Sequence, residues 1–442
     1  MSTDLTASPP TATELHRYTE ALLTHLAADG SAPPQAPDFH DVPEYWLPPT
    51  VEALIAILAG DDPIEPLTRA AGRDQQKTAL FLCLALAVAG HGGRIHASWL
   101  GTAFGELSLD RPVTHGQRSL WLAAARGAYG PAGKIFVLRK LDALAVPDAA
   151  EPREWVQALA PGEPSVVVPG SLVDFPEMAE IPELARPAQA AARLARLRAR
   201  CAEITSAKQA DQDSSAPLTN NTGSPASSWA EDEPLAVLRT LAGLGGPEGP
   251  MGSLTAHLLD DLRPGADPHL AAIALHVAAP ILRAYADEME ADTQLAPPST
   301  VTVALLGHHI VLCPEGPDPE SFSRAEQEIA AKGAPKRRPP IAAYALIVLG
   351  VAAVAAFVIH GLLAVLGVAM LGLGGWLLWQ RHQAKEADNR YVTAQLNELR
   401  ELADGAVWAL HAYAREAEAR AKQAAEDSTD LNRLIRRGPR AA

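Results

Sequence analysis

The stretch IAAYALIVLGVAAVAAFVIHGLLAVLGVAMLGLGGWLLWQ, residues 341–380, decides how this chain is read. It runs for 40 residues, and His360 is its one side chain able to carry charge near neutral pH. As a single helix it would be about 60 Å long, roughly twice the hydrocarbon thickness of a bilayer, and tilt does not absorb that excess. The pair His360-Gly361 divides it into two halves of 19 residues, 341–359 and 362–380. Each half makes a helix of about 28 Å, enough for one crossing. The expectation is a two-helix transmembrane hairpin with His360 and Gly361 at its turn, where glycine supplies the left-handed conformation that ends a helix. One crossing plus a buried apolar helix is the alternative.

The flanks support two crossings. Lys332, Lys336, Arg337 and Arg338 precede the run, and Arg381, Lys385 and Arg390 follow it. Positive charge stays on the cytoplasmic side. Both termini are therefore expected in the cytoplasm, with a multi-pass anchor in the plasma (inner) membrane. Arg337, Arg338, Tyr344, Trp376, Trp379 and Arg381 are the expected interfacial anchors. The small residues Ala352 and Ala356 on the first helix, and Gly367, Gly372, Gly374 and Gly375 on the second, are expected where the two helices pack. An ionisable residue inside a bilayer segment is a functional candidate, but at an outer turn His360 is hydrated and ordinary.

Beyond the membrane segment, 385–426 is helix-prone. Val392, Leu396, Leu399, Ala403, Ala406, Leu410, Tyr413 and Ala417 alternate steps of four and three, which is a heptad seam. It serves either coiled-coil self-association into a homo-oligomer or docking on the chain's own cytosolic part. The basic tail, 427–442, sets Leu431, Leu434 and Ile435 among arginines and either touches anionic headgroups or is disordered.

Before the membrane segment the pattern is mainly helical. Residues 1–45 read as weakly structured around an amphipathic stretch at 13–28. A mainly helical cytosolic domain follows over 46–205, with Asp74 as the cap of a helix over 74–89 and short strands at 135–138 and 165–169. Residues 206–230 form a linker of Ser, Asn, Asp and Gly with no apolar period, expected to be disordered. A smaller helical domain, 231–332, carries a β-hairpin near 301–312. The fold class expected is a mainly α membrane protein with a few short strands.

Charge narrows the partners. The chain has 442 residues, 37 Lys+Arg against 52 Asp+Glu, and a net charge of −15. Before residue 381 there are 42 acidic and 26 basic residues, a surface that phosphate backbones repel, so nucleic acid is not expected as a partner. Cys83, Cys201 and Cys313 are scattered and odd in number, as reduced thiols in a cytosol are. The first ten residues carry no secretory signal. High Ala, Pro and Arg usage is that of a GC-rich bacterial genome.

Chemical motifs are sparse. The run Gly127-Ala-Tyr-Gly-Pro-Ala-Gly-Lys134 lacks the first spacing, the Ser/Thr and the preceding strand of a phosphate loop. His91 and His96 stand five apart, outside the helical spacing of metal ligands. His308-His309 is placed at a hairpin tip, and the pairs Asp61-Asp62 and Asp260-Asp261 are read as solvated loop acids. No catalytic residue, cofactor or metal is expected. The layout predicts a non-enzymatic adaptor that brings a cytosolic protein or assembly to the bilayer. The alternatives are a membrane-permeabilising effector whose hairpins oligomerise after a trigger, and a tethered enzyme without a recognisable motif.

Overall fold

The computed structural model describes residues 12–31, 44–144, 146–162, 167–212, 233–244, 250–333, 341–355 and 361–436. The protein is mostly helical with a few short strands. In chain order the helices are α1 (Ala12–Asp29), α2 (Leu47–Ala59), α3 (Ile64–Val88), α4 (Ala97–Phe104), α5 (His115–Ala125), α6 (Gly130–Asp142), α7 (Pro152–Leu159), α8 (Pro176–Ala179) and α9 (Pro182–Gln212). They continue with α10 (Glu233–Leu241), α11 (Leu254–Leu262), α12 (Pro268–Thr293), α13 (Pro319–Gly333), α14 (Ile341–Ala355) and α15 (Gly361–Arg436). The strands are β1 (Val113–Thr114), β2 (Pro250–Gly252), β3 (Val301–Leu305), β4 (His308–Cys313) and β5 (Gly316–Pro317).

These elements form two compact units that do not follow chain order. The first takes residues 1–164, 192–290 and 424–442, and the second takes 165–191 and 291–423. Residues on both sides of the 213–232 segment belong to one unit, and the hairpin near 301–312 belongs to the other.

The first unit is built around α3. Asp74 leaves the helical region (φ −153°, ψ 98°) and its carboxylate accepts the Lys77 N–H at 2.9 Å, which starts the buried half of the helix. From Ala79 to Ala89 every side chain is buried. Trp46 packs edge-on to Phe81, and Tyr129 donates to the Cys83 carbonyl. The antiparallel pair β1–β2 joins Val113 to Gly252. Thr114 and Gln117 form a capping box that starts α5, and the Gln117 amide also donates to the Phe104 carbonyl. Helix α6 replaces the strand expected at 135–138. Pro131 stands in its first turn, and Val137, Leu138 and Leu141 bury one face, so packing overrides the β-branched run. Of the strand expected at 165–169, residues 165–166 lie outside the described residues and 167–169 are irregular. Helix α9 extends through Gln212, into the segment read as linker, and the rest of that linker lies outside the described residues.

The second unit has a separate core. The sheet β3–β4–β5 is antiparallel, with Val303 opposite Ile310 and Leu305 opposite His308. The turn is Leu306-Gly307, so His308 and His309 lie on β4 and not at the tip. Successive strand residues point to opposite faces. His308 accordingly turns inward and pairs with Glu328 at 3.1 Å, while His309 is exposed. Val301, Val303, Leu305, Ile310 and Leu312 pack with Met178, Leu184, Ala325 and Ile329, and with one face of α15.

Among the described residues, one helix is long and apolar enough to cross a membrane by composition: α12, Pro268–Thr293. In its apolar window 61% is buried inside the protein, the mark of a core helix. Its buried face includes Leu270, Ile273, Ala274, Ala278 and Leu282. Helix α14 is a shorter apolar helix, and α15 runs unbroken from Gly361 to Arg436. It joins the apolar run to the helix expected over 385–426, and no Gly or Pro stands between Trp376 and Asp404 to interrupt it. The helix also does not stop at 426. Leu431 and Ile435, expected in a basic tail, are buried in the first unit.

Candidate functional site

Helix α14 meets the start of α15 through glycines. A Cβ on Gly367 would lie 2.8 Å from Val354 Cγ2 and 2.9 Å from the Gly350 carbonyl oxygen. A Cβ on Gly374 would lie 2.7 Å from Ile347 Cγ1 and 3.2 Å from the Ala343 oxygen. Gly350 is equally tight against Leu371. Residue 354 thus faces 367, and 343 faces 374, which is an antiparallel pairing. Of the residues expected at this contact, Gly367 and Gly374 are in it. Gly372 faces open space, Ala352 is exposed, and Ala356 lies outside the described residues. Gly350 is a contact that the spacing did not indicate. Glycines seven apart, 367 and 374, lie on one helical face and were the available signal.

The outer surface of this pair is apolar. Among the described residues eleven of the twenty exposed large hydrophobic side chains fall between 341 and 379, including Val348, Leu349, Val365 and Val368. Isolated exposed hydrophobics are ordinary, but a contiguous belt is not. Tyr344, Trp376 and Trp379 are all more than half exposed. The antiparallel pairing brings residue 344 level with residues 373–377, so these aromatic residues share one end of the pair. Arg381 is exposed and follows directly on that end. Arg337, Arg338 and His360 lie outside the described residues, while Gly361 opens α15.

Further along α15 the heptad seam is filled by the protein itself. Leu399, Ala403, Ala406, Ala409 and Tyr413 are each less than 5% exposed in the core of the second unit, with Leu396 and Leu410 packed against its margin. Tyr413 donates to the Leu184 carbonyl at 2.9 Å. Val392 is half-buried and meets Gly333. Of the two expected uses of the seam, docking on the chain itself is the one these contacts display. The heptad spacing serves both outcomes alike, since each needs one apolar stripe.

A polar cluster in the first unit was not legible at all. Asp261, expected among the solvated loop acids, lies within helix α11. It is 6% exposed and grips the Arg118 guanidinium with both carboxylate oxygens. Arg118 also lies over the Trp121 ring, 4.6 Å from its centroid. Burial raises the Asp261 carboxyl above its usual range, against the opposing hydrogen bond and charge of Arg118. Nearby His257 is held below the usual imidazole range, first by burial and then by the Arg118 charge, with Asp260 pulling the other way. One ring nitrogen of His257 and one of His115 are buried without a hydrogen-bond partner. Each Asp261 oxygen accepts from one Arg118 nitrogen. Among the described residues no three His, Cys, Asp or Glu side chains gather to hold a metal ion. His91 instead bonds the Gly30 carbonyl, at 2.9 Å. Cys83 and Cys201 are buried free thiols, with burial pushing both up to about 12.

No protein-family model, no curated protein and no solved structure matches the chain.

Proposed function

We propose that this protein is a membrane-anchored adaptor. Residues 341–380 form a two-helix transmembrane hairpin, and residues outside that hairpin bind a protein partner or assembly on the cytoplasmic side of the plasma membrane. The observation that carries this reading is the exposed apolar belt on the α14–α15 pair, with its glycines turned inward. In lipid, small residues at a helix contact permit close backbone approach, and large apolar side chains face the acyl chains. Aromatic residues at one end of the pair fit an interfacial belt there. The same pattern favours an anchor over a permeabilising effector. Of the described side chains between 341 and 380, those of Tyr344, Trp376, Trp379 and Gln380 alone carry a polar atom, and they supply no stripe to line an aqueous path.

Cysteine labelling of the full chain tests the topology. A cysteine placed at position 360 is expected to react with an impermeant maleimide from outside the cell, while cysteines at 2 and 442 are protected until the membrane is opened. Reaction at either terminus would end the hairpin, and release by alkaline carbonate would end the membrane reading. Induced expression is expected to leave membrane potential intact, with a partner recovered on the full chain. Collapse of the potential would transfer support to the permeabilising effector.

A further inference from the structure

Within the second unit, the outer face of α15 carries an exposed tryptophan. Trp408 is 69% exposed, more than any other large hydrophobic side chain described outside 341–379. At 100° per residue Leu399, Ala406 and Tyr413, which lie in the core of that unit, are turned about 140–180° away from it. Glu401 and Asp404 are exposed and lie within about 40° of Trp408, two turns and one turn before it. Residues 170–180 belong to the same unit and flank this face. Ser171 donates to the Glu416 carboxylate at 2.9 Å, and a Cβ on Gly405 would lie 3.1 Å from the Phe175 ring. The segment thus runs antiparallel to α15 past the level of Trp408. It presents Val173, 63% exposed, with exposed Asp174 and Glu177. Among the described residues none of these four carboxylates is in an ion pair. Exposed Arg415 follows two turns beyond Trp408 and bounds the acidic stretch.

A single exposed hydrophobic is ordinary. Here Trp408 and Val173 stand among four carboxylates without ion partners, and that combination selects a cation. We propose that this face docks an arginine-bearing segment of a protein partner. A guanidinium stacks on Trp408 and its methylene stem covers Val173. Asp174, Glu177, Glu401 and Asp404 accept from that group and from basic side chains beside it. Arginine suits the face better than lysine, since one planar group both stacks on an aromatic ring and bonds a carboxylate at two points. The same carboxylates repel phosphate-bearing partners. This inference rests on the adaptor reading above and gives its partner a chemistry.

The test uses the full chain in neutral detergent and a fluorescein-labelled nona-arginine peptide, with binding read by anisotropy at low salt. Nona-citrulline, which keeps the shape and loses the charge, is expected to bind at least about tenfold more weakly. Trp408→Ala, Glu401→Gln/Asp404→Gln and Asp174→Asn/Glu177→Gln should each weaken nona-arginine binding at least about twofold. All these positions are exposed, and an unchanged circular dichroism spectrum certifies the fold. Glu151→Gln/Glu154→Gln removes the same charge from exposed positions of the first unit and should change nothing. Equal binding of the two peptides would overturn the proposal, as would a loss in Glu151→Gln/Glu154→Gln as large as in the other two pairs. Unaltered binding by Trp408→Ala would overturn it too. A full chain that sediments as a dimer, and as a monomer in Trp408→Ala, would give the face to a second copy and end the proposal. These failures leave the adaptor reading standing on recovery of a partner with the full chain. Peptide binding confined to this face, with no partner recovered, would end the adaptor and keep the surface.

Discussion

Asp261 holds Arg118 with both carboxylate oxygens across 143 positions of sequence, and both side chains are less than a tenth exposed. The pair links α5 to α11 beside the β1–β2 contact, where the two halves of the first unit meet.

Removing one partner leaves a buried charge without its counter-ion. Asp261→Ala is expected to destabilise the first unit by about 3–5 kcal/mol, read as a lower urea midpoint. The double substitution Arg118→Met/Asp261→Leu should recover much of that loss. Equal losses in the single and double variants would show that the pairing is not the cause.

The neighbouring histidine makes stability pH-dependent. His257 has a folded pKa below the unfolded value of about 6.5. As pH falls below that value the unfolded chain takes up a proton that the folded chain refuses, so stability declines until the lower folded pKa is passed. Arg118, His115 and Asp260 are the charged and titratable groups acting on it. His16, lowered by burial, contributes with the same sign. The raised carboxyl of Asp261 acts oppositely and in its own range, since its cost is present above its folded pKa and relieved as pH falls through it. His257→Gln should flatten the decline in urea midpoint between about pH 6.5 and 5. An unaltered slope would contradict this.

Much of the local structure was legible, and the long-range structure was not. The Asp74 cap, the helices over 182–204 and 268–289, and the hairpin near 301–312 each follow from short-range periodicity and capping. Asp260-Asp261 defeats that approach, because two adjacent acids look alike until the fold shows that one of them faces Arg118. The two-residue strands β1 and β2 carry no alternation to read. The linker expected at 206–230 reads as a boundary, yet elements before and after it belong to one unit. In the run 341–380, length and charge indicated which stretch is apolar, while the contacting glycines depended on the crossing angle and register of the two helices.

The hairpin turn in the second unit carries removable strain. Leu306 has φ 49° and Gly307 φ 79°, so both positions lie in the left-handed region. Leucine is costly there, and at 40% exposed its side chain recovers little by burial. Leu306→Asn, which gives the residue pair preferred in such turns, is expected to raise stability by about 0.5–1 kcal/mol in thermal unfolding. A lower midpoint would mean that the leucine side chain contributes more than its backbone conformation costs.

The glycines of the α14–α15 pair separate contact from bystander. Gly367→Ile places carbon against the Gly350 carbonyl and Val354, and should cost about 1–3 kcal/mol in detergent-solubilised protein. Gly372→Ile meets open space and should be neutral or slightly stabilising. Equal midpoints for the two variants would remove the contact from the account.

Interleaving of the two units has a consequence for how such a protein changes over generations. Residues 165–191 and part of α15 complete one unit, while 192–290 and the end of α15 complete the other. A crossover within 213–232 would therefore exchange parts of both units at once. Neither unit is a module that recombination can lend to another gene intact, and the two have to be inherited, and to diverge, together.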